Sequence, residues 1–147
     1  MADENFMTLD INFRNEIVNN KLRFIIYYNG PRFISSPLRD QEIRNGEFDY
    51  KIVVNSNRLN TYFDLFNQLT IEKFEKCNEQ FMLYARAEKR ILCEFRDKDD
   101  NLLISFSHGL GDYIILNDTV IKKNRALYNL IKFFLPRNID FYGEIEE

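Results

Sequence analysis

The chain has 147 residues, 45% of them apolar and 29% charged, which suits a globular domain with its own core and excludes a disordered or collagen-like polymer. One histidine and two cysteines, Cys77 and Cys93, are too few for a disulfide framework or a zinc site. The net charge of −3 is unevenly spread, with Asp3, Glu4, Asp10 and Glu16 near one end, Asp140, Glu144, Glu146 and Glu147 at the other, and a mildly basic body between, which argues against general nucleic-acid binding.

The opening segment carries two periodicities. Leu9, Phe13 and Ile17 recur at i, i+4 and i+8, with Thr8 as a cap and Asp10–Arg14 as an ion pair, and this reads as helix. Met7, Leu9, Ile11 and Phe13 also alternate, which reads as strand; the helix is favoured. The run LRFIIYY from Leu22 to Tyr28 predicts a buried strand, stopped by Asn29-Gly30-Pro31. Ser36-Pro37 predicts the start of a short helix that ends near Gly46. Phe48, Tyr50, Ile52 and Val54 then alternate with Asp49, Lys51 and Asn55, giving a strand with one face in the core.

Leu59, Tyr62, Phe63, Phe66 and Leu69 form one apolar stripe, so a helix is predicted over 57–69 with Ser56 or Asn57 as its cap. Thr70 is expected to cap a further short helix through Ile71 and Phe74. The second half reads as a meander, with strands near 81–87, 90–96, 102–107, 112–116 and 119–122. Residues 97–101, DKDDN, supply one polar turn, and Asn117-Asp118 a two-residue turn whose members tolerate positive φ. Asn124 caps a last helix that turns Leu127, Leu130, Ile131 and Phe134 inward, and Pro136 ends it. Strands joined by tight turns are antiparallel. The fold class is therefore α+β, a single antiparallel sheet packed against two to four helices. No repeat or linker divides residues 1–147, so one domain is expected, with 1–5 and 143–147 flexible.

Chemistry is sparse in this pattern. Gly109-Leu110-Gly111-Asp112 lies between strands, where glycines serve a turn and do not cradle phosphate. Ser107, His108 and Asp112 do not make a triad, because neighbouring side chains on a strand point to opposite faces. His108 reads as a loop residue, Cys93 shares the core face of its strand with Ile91 and Phe95, and nothing around Cys77 activates its thiol. Asp49-Tyr50-Lys51, with Asp40 upstream, resembles the acid-x-lysine arrangement that holds Mg²⁺ beside an attacking water in metal-dependent nucleases, though an exposed strand face alternates Asp and Lys for solubility as well. Lys122, Lys123, Arg125, Lys132 and Arg137 make a basic strip along the last helix, which reads as an ordinary wet face.

By elimination the sequence points to a non-catalytic protein-binding module, an immunity or inhibitor-type protein that neutralises a protein partner. Its acidic ends point to a basic partner such as a toxin or effector. The alternatives are a small metal-dependent nuclease or hydrolase using Asp49 and Lys51 with Asp40, or a carrier with an aromatic-lined pocket for a small ligand. Neither cofactor nor metal is implied. No apolar run approaches the roughly 20 residues of a membrane span, and MADENFMTLD is unlike a secretory signal, so a cytoplasmic location is expected.

Overall fold

In a computed structural model of the chain, residues 5–28, 50–77, 91–108 and 113–136 are described. In chain order they form β1 (Phe6–Met7), α1 (Phe13–Asn19), β2 (Arg23–Tyr28), β3 (Tyr50–Val54), α2 (Ser56–Thr61), α3 (Phe63–Ile71), β4 (Phe74–Glu75), β5 (Ile91–Arg96), β6 (Leu102–His108), β7 (Tyr113–Leu116), β8 (Thr119–Lys122) and α4 (Arg125–Phe134). Six strands make one sheet in the order β3-β2-β5-β6-β7-β8, and every neighbouring pair is antiparallel. The α+β class follows.

The expected single sheet is corrected by a second ladder of two strands, in which Phe6 pairs with Glu75 and Met7 with Phe74. The chain leaving it bridges Lys76 to Ile121, and the Cys77 N–H donates to the Val120 carbonyl at 2.9 Å. These bonds cover the outer edge of β8, a sheet margin that would otherwise invite pairing with another chain. Lys122 and Glu75 form an ion pair across the same junction.

Local sequence explains the element boundaries. Three helices start at an asparagine whose side-chain oxygen accepts an N–H from the first turn: Asn12 from Asn15 at 3.1 Å, Asn55 from Arg58 at 3.0 Å and Asn124 from Leu127 at 3.1 Å. The cap expected at Thr8 is therefore at Asn12. Leu9 and Met7 precede the helix, although Leu9, Phe13 and Ile17 are all buried as their spacing implied. Arg14 does not face Asp10 as an ion pair; its guanidinium lies 4.0 Å from the centre of the Phe63 ring. After α1, Lys21 takes φ 50 and the Leu22 N–H returns to the Glu16 carbonyl at 3.1 Å, turning the chain into β2.

The helix expected over 57–69 is two helices, broken at Tyr62, which closes α2 and opens α3 with φ −108 and ψ 34. The helix expected after Thr70 is corrected as well. Its hydroxyl donates back to the Asn67 carbonyl at 2.7 Å inside α3, the chain turns extended at Glu72 with φ −68 and ψ 144, and Phe74 is taken up in a strand paired with Met7. The short helix expected between Ser36 and Gly46, the strand at 81–87 and the flexible ends at 1–4 and 143–147 lie outside the described residues.

The meander obeys its turns. Asn117 and Asp118 have φ 46 and 66, the left-handed pair that a two-residue hairpin needs. In the turn before β6, the Asp97 carboxylate accepts the Asn101 and Asp99 N–H groups, each at 2.9 Å, and the bonds from Asn101 hold its pKa below the ordinary carboxylate value. Phe95 pairs with Ile104 but Arg96 with Leu102, so Leu103 is an extra residue, a bulge that turns its side chain against the core.

Phe24, Ile26, Phe95, Cys93, Phe106, Ile114, Leu116 and Ile121 share the sheet face covered by the helices, and with Leu59, Phe66, Leu69, Leu127, Leu130 and Ile131 they form one buried cluster. The opposite face is also buried at its centre, where Ile25, Tyr27 and Leu92 pack together and Glu94 is 0% exposed. Central strands buried on both faces read as continuous apolar runs, which is why RFIIYY shows no alternation. Glu94 is held by Arg96, whose Nε and Nη2 lie 3.3 and 3.2 Å from its two oxygens. A buried carboxylate requires such a partner.

Phe63 is half-buried at the margin while Phe66 is wholly enclosed, so the ring that carries α3 is Phe66. Phe66→Ala is expected to cost about 3–5 kcal/mol and Leu130→Ala about 2–5 kcal/mol in chemical denaturation, with Phe63→Ala below Phe66→Ala. Arg58→Ala at the surface should stay within about 0.5 kcal/mol. A larger loss for Phe63→Ala than for Phe66→Ala would contradict this packing.

Candidate functional site

Of the acid-x-lysine group, Asp40 and Asp49 lie outside the described residues and Lys51 lies within them. Lys51 is exposed on the sheet face away from the helices, paired across β2 and β3 with Tyr27, and its ammonium sits 5.4 Å from the Tyr27 ring centre. Among the described residues no three His, Cys, Asp or Glu side chains come together as a metal site would need.

His108 is corrected from a loop position to the last residue of β6, 2% exposed on the helix-covered face. Its Nε2 shares a 2.8 Å hydrogen bond with the Tyr128 hydroxyl, and the two rings meet edge to face at 5.1 Å. Ser107 points to the other face, as strand geometry requires, and Asp112 is outside the described residues. The histidine therefore fastens α4 to the sheet. Cys93 is fully buried, and burial followed by the neighbouring Glu94 charge raises its pKa well above that of a free thiol. Cys77 is half-buried, its pKa raised by burial, with Lys122 acting in the opposite direction.

A cleft of about 260 Å³ lies between the chain at Leu9–Asn12, Glu16, the bulged Leu103, Ile104 and Asn117. No aromatic ring lines it, unlike the pocket expected for a carrier of small ligands. Asn117 is occupied in holding the hairpin, its side chain accepting the Ser105 N–H at 3.0 Å.

The basic strip is divided. Lys122 meets Glu75, Arg125 and Lys132 are exposed on α4, and Arg137 is outside the described residues. Beside it stands a feature that sequence periodicity did not single out. Phe133 is 50% exposed and Tyr62 38% exposed, yet their rings meet edge to face at 4.8 Å and 67°. Both rest on Phe134, at 4.9 and 6.2 Å. Phe134 in turn stacks on Phe66 at 5.7 Å, so the exposed pair is mounted on the core. Arg58 crosses the same group, 5.4 Å from the Phe134 ring centre.

One signal for this pair was present in the sequence. Leu127, Leu130, Ile131 and Phe134 already fill the inward stripe of α4, and Phe133, about 100° around the helix from Phe134, has to face outward. Its partner Tyr62 falls in the core stripe of an unbroken helix over 57–69, and the break between α2 and α3 brings it to the surface. Chemically the group has no nucleophile or base; it offers apolar area, π faces and guanidinium donors, which are the materials of a contact surface.

A thiol reagent is expected to modify Cys77 in the native protein, slowly because its thiolate is disfavoured, and Cys93 only after unfolding. Mass spectrometry of the native protein showing Cys93 labelled before Cys77 would mean that β5 is turned over.

No protein-family model matches the chain, and no curated protein or solved structure is similar enough to it to count as a match.

Proposed function

We propose that this protein is a non-catalytic protein-binding module, of the immunity or inhibitor type that neutralises a protein partner, and that the Tyr62–Phe133 pair anchors the contact. The observation that carries this reading is two large rings, partly exposed yet fixed against Phe134 and the core behind it. An aromatic side chain already ordered in the free protein loses little entropy on binding, so its burial by a partner converts into affinity. Aromatic residues and arginine dominate the energetics of protein interfaces for this reason. Cytoplasmic action and the absence of a cofactor belong to the same reading. In the described residues no helix is long and apolar enough to cross a membrane.

The rival reading, a metal-dependent nuclease or hydrolase built on Asp49 and Lys51 with Asp40, has only Lys51 among the described residues, and there it covers Tyr27.

The test is capture of partners from the native host by the immobilised full chain, beside the variants Tyr62→Ala and Phe133→Ala. A specific protein retained by the native chain should bind each variant at least about 30-fold more weakly, as loss of about 2 kcal/mol implies for an anchor residue. Thermal unfolding should change little. Divalent-metal-dependent cleavage of nucleic acid that disappears in Asp49→Ala would overturn the proposal in favour of the enzyme.

A further inference from the structure

Among the described residues, exposed arginines lie beside the Tyr62–Phe133 pair, although the chain as a whole is acidic. The net charge is −3, but α2 (SNRLNT), which ends just before Tyr62, and α4 (RALYNLIKFF), which carries Phe133, contain no acidic residue, and α2 carries the exposed Arg58. Lys132 is the residue before Phe133, and Arg58 is one turn before Tyr62. Arg14 lies over Phe63, the residue that follows Tyr62. Among the described residues neither Arg14 nor Arg58 meets a carboxylate; both lie exposed over aromatic rings, which hold the guanidinium in place while leaving its N–H donors available. Asp64, the one carboxylate of α3, is in the first turn of that helix, where the helix N-terminus favours it.

We infer that the partner's matching surface is an acidic segment with apolar side chains, its carboxylates taken by Arg58 and its apolar groups seated on Tyr62 and Phe133. This rests on the reading of the face as a protein-binding one. It reverses the basic partner expected from the acidic ends of the chain. A guanidinium held over a ring offers paired donors that match a carboxylate in geometry as well as charge. Aromatic rings beside it exclude water, so each such pair gains strength from the lower local polarity. Nucleic acid would also answer to arginine and rings. However, nucleic acid calls for concentrated positive charge, and the chain carries a net charge of −3 with acidic residues near both ends.

A random peptide library displayed on phage and selected against the full chain tests the occupant directly. Enrichment of peptides that combine Asp or Glu with Leu, Phe or Trp is the expected result. The affinity of the synthesised peptides should fall at least about tenfold in Arg58→Glu, by a similar factor in Phe133→Ala, and progressively as salt is raised. Peptides that depend on Tyr62 and Phe133 but are neutral or basic, or that bind Arg58→Glu unchanged, would overturn the acidic partner and leave the binding face intact. Peptides that bind Tyr62→Ala and Phe133→Ala as well as the native chain, or no enrichment at all, would overturn the binding face itself. A single-stranded oligonucleotide that binds the native chain but not Arg58→Glu would replace the protein partner by nucleic acid. A dimer in sedimentation that is lost in Phe133→Ala would replace it by a second copy of this chain.

Discussion

Phe24 sits on β2, inside the sheet between β3 and β5, and is completely buried. It stacks on Phe95 of β5 at 4.6 Å, lies 6.3 Å from Phe106 of β6, and meets Phe66 of α3 and Phe134 of α4 edge to face at 5.7 and 5.9 Å. One side chain thus meets rings from β5, from β6 one strand further on, and from both of the longer helices. Offset and edge-to-face pairs of this kind add specific geometry to the non-directional gain from burying apolar area, so they fix where each helix lies as well as holding it there.

That arrangement links the core to the proposed contact surface. From Phe24 and Phe95 the rings continue through Phe66 and Phe134 to Tyr62 and Phe133 at the surface. The break at Tyr62 matters here. An unbroken helix over 57–69 would have carried Tyr62 in its inward stripe, whereas the change of direction between α2 and α3 leaves the ring at the surface against Phe133. On the far side of α4, the bond between Tyr128 and His108 fastens the same helix to β6. A buried pair of polar groups with defined geometry fixes orientation where apolar packing alone would allow sliding. The lone histidine therefore serves position, and catalytic chemistry is not needed to explain it.

Much of the fold was legible because local chemistry and the global pattern agreed. Asn117-Asp118 set the hairpin between β7 and β8, the acidic turn at 97–101 set that between β5 and β6, and Asn124 with the stripe of α4 placed the last helix. The β1–β4 ladder was not legible, since two residues per strand carry no periodicity and their pairing spans most of the first half of the chain. The bulge at Leu103 and the break at Tyr62 were hidden for a related reason: each is a single-residue departure from a pattern that its neighbours keep. Glu94 shows the limit of alternation. It lies on the face opposite Cys93 and Phe95 and is buried there as well, where Arg96 from the same strand supplies its counter-charge. The aromatic surface is a long-range object, made from residues 62 and 133, and only the outward direction of Phe133 was implied locally.

The account stands on a continuous path of rings from β2 to the surface, and nuclear Overhauser contacts between ring protons in solution measure that path directly. Centroid separations of 4.6–6.3 Å bring ring protons close enough for such contacts. Contacts from Phe24 to Phe66, Phe95 and Phe134, together with contacts between Tyr62 and Phe133, are the predicted result. A Phe133 ring with unfolded-like chemical shifts and no contact to Tyr62 or Phe134 would contradict the account, because the exposed pair would then be separate from the core.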